Sequence, residues 1–191
     1  MNMLKNIESE IEKIISKSQV PEDPIHSKNT KEWVLKLRPE ADTALQVAAL
    51  GHDIERSITE RKIRREDHED YDEFKKAHSQ MSARILHEIL LLYNLDRTVR
   101  DKVYDLVILH ETGGSLEADI LKDGDSISFF DVSLPLYFQR NYEEETAFRM
   151  RWGYKRLSKR ARSIVRNFSY DNAKLKTFFQ KVILNNKPNK R

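Results

Sequence analysis

Histidine and aspartate recur in this chain on helical faces that are otherwise apolar, and that combination is the chemistry of divalent-metal coordination. His52 follows Leu45 and Ala48 at spacings of seven and four, so it shares their helical stripe. Asp53 sits over Ala49 on the adjacent stripe. Neighbouring helical positions point about 100° apart, and an ion lying between those directions is within reach of both. His110 follows Val99, Val103, Leu106 and Val107 on one face and ends its helix. Asp125 lies beside Gly124 in LKDGDSISFF, where Ile120 and Ile127 are inward residues. Burying a lone carboxylate costs several kcal/mol, so Asp53 and Asp125 need compensation, which a divalent cation supplies. Taken singly, each residue has a plainer reading: a core histidine bonded to backbone, a chance dipeptide, a buried Asp capping a neighbouring helix. Together, four histidines (His26, His52, His78, His110) and two aspartates at helix ends point to a metal.

The elements that would position them read as helices throughout. Ile7, Ile11, Ile14 and Ile15 mark one face of a helix over 3–18, which the PEDP segment breaks. A second helix is expected from Pro24 to Arg38, and Pro39 is expected to open a third, carrying Leu45, Val47, Leu50 and Ile54. Residues 55–76 are dense in both signs of charge and read as a solvated connection or lid. Further helices are expected at 74–93, 96–111, 115–132, 142–166 and 170–184. Asp96 caps the second of these and Gly113-Gly114 end it, while Asn141 and Glu144 form a capping box for the fourth. The tail NNKPNKR is expected to fray. No segment alternates with period two. The expectation is an all-α, single-domain helical bundle over 1–191, its motif-bearing core at 20–135 and C-terminal helices at 142–184.

Composition agrees and excludes several functions. Of 191 residues, 34% are charged and only five each are Gly and Pro, the composition of long solvated helices. No apolar run approaches the roughly 20 residues that span a bilayer. The N-terminus lacks the pattern of a secretory leader, so a cytoplasmic location without membrane partners is expected. The absence of cysteine excludes disulfides, thiolate ligands and a Cys nucleophile. A net charge of +3 is too small to imply nucleic-acid binding by itself.

The segments PIHSKN, AALGHDIERS, AHSQMSARILHEIL, VILHETGG and ILKDGDSISFF together resemble the HD superfamily of metal-dependent phosphohydrolases, over about residues 20–135. The family order is an early His, an adjacent His-Asp pair, sometimes two further His, then an Asp. The resemblance implies an HD-type helical fold in which His26, His52, Asp53 and Asp125 bind one metal. It implies that His78 and His110 bind a second, with Asp53 bridging, or that His78 contacts substrate phosphate beside a single ion. Imidazole with carboxylate suits Mn, Fe, Co, Ni or Zn. The implied activity is hydrolysis of a nucleotide or other small phosphoester by a metal-activated hydroxide, with Asp53 as the catalytic carboxylate. Glu55-Arg56, after the pair, depart from the Gly-Lys that many members carry. The glycine-rich motif of cyclic-dinucleotide phosphodiesterases is absent.

Substrate phosphates need cations beyond the metal. Arg56, four residues past His52, Lys122, three before Asp125, and Arg149, near the start of the 142–166 helix, are the candidates. Surface placement of each is the plainer alternative. Glu55 is a positional candidate for general acid, although an exposed Glu is the default there. His87 lies half a turn away from His78, and His68 falls in the charged connection and reads as exposed, so neither belongs to the site. Two other classes remain: a di-iron oxygenase on the same ligands, and a non-catalytic metal-stabilised module that binds through the basic 149–166 helix. Homo-oligomerisation is left open.

Overall fold

The computed structural model describes residues 3–185, and every regular element among them is helical. Helix α1 (Met3–Ile15) buries Ile7, Ile11 and Ile15 at i, i+4 spacing. Helix α2 (Asp23–Leu37) starts with Pro24 in its first turn and buries polar as well as apolar residues, His26, Ser27, Asn29, Thr30 and Val34 among them. It does so because it packs between two partners, α3 (Thr43–Gly51) and α6 (Leu116–Ser128). Pro39 does not open α3. The chain turns at Arg38–Ala41, and Asp42 caps the helix by accepting from the Leu45 amide at 3.0 Å.

The charged connection is built of short 3₁₀ turns at Ile54–Ser57, Thr59–Arg61 and Arg65–Asp67. Helix α4 (Tyr71–Leu92) begins earlier than its apolar periodicity suggests, because Asp70 accepts from the Glu73 amide at 2.7 Å. Helix α5 (Arg97–Leu109) is capped by Asp96, as expected. It stops where Gly113, at φ 73°, returns its amide to the Leu109 carbonyl at 2.7 Å. The expected 115–132 helix is α6, continued by a π-turn at Phe129–Ser133 into α7 (Leu134–Arg140).

Two expectations fail beyond this point. The Asn141–Glu144 box does not form, because the Asn141 amide donates to the Tyr137 carbonyl at 2.9 Å and finishes α7 instead. The expected 142–166 helix divides into α8 (Glu143–Arg156) and α9 (Lys159–Arg166). At the break Leu157 turns into the core and Ser158 caps α9, held by the Asp123 carboxylate, which accepts from the Ser158 amide at 2.8 Å. Helix α10 (Ala173–Phe179) and a π-turn at Gln180–Leu184 end the described chain. The tail expected to fray falls, at residues 186–191, outside the described residues.

Two apolar cores result. One gathers Ile7, Ile11, Leu45, Leu50, Leu86 and Leu90 from α1, α3 and α4, with Val103 and Val107 of α5. The other gathers Phe130, Leu134, Met150, Val165 and Phe179 from the C-terminal half. Helices α2 and α6 lie between them and approach closely, since a Cβ on Gly124 would sit 2.8 Å from Val34 Cγ2 and 3.3 Å from the Thr30 carbonyl. That approach puts the first turn of α2 beside the last turns of α6. Among the described residues no helix is long and apolar enough to cross a membrane.

Candidate metal centre

Five helices deliver one or more polar groups to a common point between the two cores. His26 comes from the first turn of α2, His52 and Asp53 from the end of α3, His78 from α4, His110 from the end of α5 and Asp125 from α6. The helix ends matter: His52 and His110 each occupy a C-cap, where the side chain can return to a carbonyl of its own last turn. His52 Nδ1 lies 3.0 Å from the Ala49 carbonyl, and His110 Nδ1 lies 2.6 Å from that of Val107. His26 Nδ1 faces Ser128 Oγ at 3.0 Å, and His78 Nδ1 faces the Glu55 carboxylate at 2.5 Å. With every Nδ1 bonded in this way, the Nε2 atoms are turned to the centre, as where an outer hydrogen bond orients a metal-binding imidazole.

Those Nε2 atoms meet the carboxylates. His26 Nε2 is 3.2 Å from Asp125 Oδ1, and His52 Nε2 is 3.6 Å from both Asp125 Oδ1 and Asp53 Oδ1. His78 and His110 Nε2 approach the same Asp53 oxygen at 2.8 and 3.8 Å. His52 and His110 are wholly buried, yet their Nε2 atoms have no hydrogen-bond partner. Buried ring nitrogens left unbonded beside ionised carboxylates fit a divalent ion, which satisfies both. Three overlapping sets have donor atoms within 4.8 Å of one another: His26, His52 and Asp125; His52, Asp53 and His110; His78, His110 and Glu111.

A family model described as a domain of unknown function (DUF4202) matches residues 5–177. The chain belongs to that family. Among curated proteins and solved structures, nothing matches it.

The electrostatics of this DUF4202 centre follow from its crowding. Burial alone would depress the His52 imidazole, but the Asp53 and Asp125 charges outweigh it and pull its pKa up to about 9. Burial would raise Asp53 and Asp125. His52, His78 and Arg56 around the first, and Arg156, His26 and His52 around the second, hold both well below the usual carboxylate range. Both carboxylates therefore stay ionised, as ligands must be. Arg56 bonds Asp53 Oδ2 at 2.6 Å and Asp23 Oδ1 at 3.1 Å. Arg156, lying against the Trp152 ring, forms ion pairs with Asp125 Oδ2 at 3.1 Å and Glu111 Oε2 at 3.0 Å.

Three residues of this centre, Glu111, Lys75 and Arg156, stand outside the sites expected from the sequence, and Glu55, named there as a positional candidate for general acid, differs in its placement. Glu55 is buried rather than exposed: it accepts from the Ile63 amide at 2.8 Å and faces His78 with its other oxygen. Glu111, Lys75 and Arg156 form an ion-paired group beside His110. The only sequence signal for Glu111 is its place directly after His110, and for Lys75 its position one turn before His78.

Beside His26 and Asp125 lies a chamber of about 60 Å³, to which Arg56, Tyr137 and Arg149 also contribute. The same three residues line an outer cleft of about 650 Å³. Its other walls include Tyr71, Phe74, Phe148 and the cations Lys62, Arg64 and Lys75. Arg149 donates to the Tyr71 hydroxyl at 2.5 Å, and among the described residues no carboxylate pairs with it. Lys122 is elsewhere, bonded to the Thr112 carbonyl at 3.3 Å and to Asp119 at 2.8 Å, and lines neither space. His87 packs on Tyr104, and His68 is half-buried against Phe74.

Proposed function

We propose that this chain is a metal-dependent phosphohydrolase of the HD type, acting on a nucleotide or another small phosphoester. The observation that supports it most is the convergence of four Nδ1-anchored imidazoles on the shared carboxylates Asp53 and Asp125. The order of these residues along the chain is the order of the HD resemblance. His26, His52, Asp53 and Asp125 would hold a divalent ion, which would supply an acidified water and positive charge for the phosphoryl oxygens.

The rest is the work of the chain's own residues. Arg56 and Arg149 stand where cleft and chamber meet, so a phosphate passing inward is gripped by guanidinium groups from two sides. The faces of Tyr71, Phe74 and Phe148 offer a stacking wall for a base or other planar group outside. Lys62 and Arg64 on the rim raise the local concentration of anions. Glu55 holds the Nδ1 proton of His78, which keeps the His78 ring aimed at Asp53. The narrowness of the chamber limits water around the reacting phosphate.

The test is phosphate release or diester cleavage by manganese-loaded protein across nucleotides, cyclic nucleotides and aryl phosphates. Activity that Asp53→Ala reduces to background supports the reading. Silence across the panel from folded, metal-loaded protein refutes it.

A further inference from the structure

The two sides of the centre obtain their compensating charge differently. On the first side, Arg56 and Arg156 hold the Oδ2 atoms of Asp53 and Asp125. The Oδ1 atoms of both carboxylates face imidazole nitrogens, which a proton or an ion can occupy, and no Lys or Arg. On the second side, the carboxylate is Glu111, and both of its oxygens already carry a cation of the protein. Oε1, the oxygen 3.1 Å from His110 Nε2, is in direct contact with the Lys75 ammonium. Oε2 lies 3.0 Å from Arg156. His78 Nε2, the remaining donor there, is bonded to Asp53 at 2.8 Å.

Glu111 and Lys75 are buried and Arg156 is largely covered beside them, so these charges act at short range with little screening. Arg156 is shared with Asp125 of the first side, so Lys75 is the cation paired with Glu111 alone, and it already neutralises the one carboxylate that a second ion would need. An ion ligated by Glu111 Oε1 would also touch the Lys75 ammonium. Lys75 shares a face of α4 with His78, one turn apart, and lines the outer cleft.

We infer that the centre holds one divalent ion, on the His26–His52–Asp53–Asp125 side, and that Lys75 and Arg156 supply from the protein the positive charge that a second ion would bring. The inference rests on the metal reading above and deepens it. In this arrangement His78 and His110 position Asp53, and His78 also lines the outer cleft. Lys75 presents a fixed ammonium to the substrate.

Chelator-stripped full-length protein titrated with Mn²⁺ tests this, using calorimetry for stoichiometry and electron paramagnetic resonance for ion–ion coupling. One ion per chain, with the hyperfine sextet of an isolated Mn²⁺, is expected. Two ions per chain with an exchange-coupled spectrum overturn the inference and leave the metal reading standing. No bound Mn²⁺ overturns the metal reading and the inference with it. Lys75→Met with Arg156→Met should admit a second ion and produce coupling. If this variant folds, by circular dichroism, and still binds one ion, the charge argument is overturned. The wild-type titration decides the stoichiometry whether or not the variant folds.

Discussion

Replacing Ser128 by alanine asks whether the histidines are set as ligands before any ion arrives. Ser128 is fully buried, and its hydroxyl has a single proton. Assigning that proton to the His26 carbonyl at 3.1 Å leaves a lone pair facing His26 Nδ1 at 3.0 Å and puts the hydrogen on Nδ1, the tautomer a ligand needs. The Nε2 lone pair is then the one aimed at Asp125. Ser133 Oγ, at 3.3 Å from the same Nδ1, is a longer second acceptor. Ser128→Ala removes two buried hydrogen bonds at about 0.5–1.5 kcal/mol each, a loss of about 1–3 kcal/mol. For a chain of this size that lowers Tm by about 2–12 °C. Removing a group that orients a metal ligand typically weakens metal binding about 10–100-fold. With Ser133 in reserve, Ser128→Ala belongs near the lower end of that range and the double variant Ser128→Ala/Ser133→Ala near the upper. Calorimetric Mn²⁺ titration and thermal unfolding of the metal-free protein are read side by side. Wild-type affinity in the double variant, with only Tm reduced, would show that the serines merely fill space and would refute the tautomer argument.

Gly124→Ala forces α6 away from α2, because the new methyl meets Val34 Cγ2 at 2.8 Å and the Thr30 backbone at 3.3 Å. A stability loss of about 1–3 kcal/mol is expected by chemical denaturation, with weaker metal binding, since the two helices carry His26 and Asp125. Arg149→Gln is expected to raise KM for the phosphoester about 10–100-fold, the worth of a charged hydrogen bond, at unchanged metal content; an unaltered KM removes Arg149 from the substrate site. Burial opposes the charge on His52, but Asp53 and Asp125 raise it to about 9, so near neutral pH the metal-free protein carries a proton there. Ion binding must expel that proton, so calorimetry in buffers of differing ionisation enthalpy should detect proton release that fades above pH 9. The same proton stabilises the metal-free fold fully below pH 6.5 and is lost as pH rises through 9, so metal-free Tm should decline across that window; a flat profile contradicts the assignment.

The helices were legible because isoleucine and leucine recur at helical spacing, and the all-helical class followed from that periodicity. His52-Asp53 and His110 were legible for a related reason, as polar residues closing apolar stripes. The burial of Glu55 was hidden because it opens a run of charges that normally faces water; it comes from the turn at Ile54–Ser57 folding against α4. Glu111 and Arg156 were hidden because their partners lie on other helices, and no local pattern marks an ion pair formed by packing. The break at Leu157–Ser158 likewise depends on Asp123, a cap supplied from a distant helix. Asn141 and Glu144 matched a local capping pattern, but the asparagine amide was taken by the preceding helix end.

The account stands on an ion being drawn to the oxygens and ring nitrogens that α2, α3 and α6 bring together. The direct measurement is anomalous diffraction from crystals of protein purified without chelator and supplied with Mn²⁺, recorded on both sides of the metal's absorption edge. One peak within coordination distance of His26, His52, Asp53 and Asp125 is predicted. A map with no peak among those four side chains would contradict it.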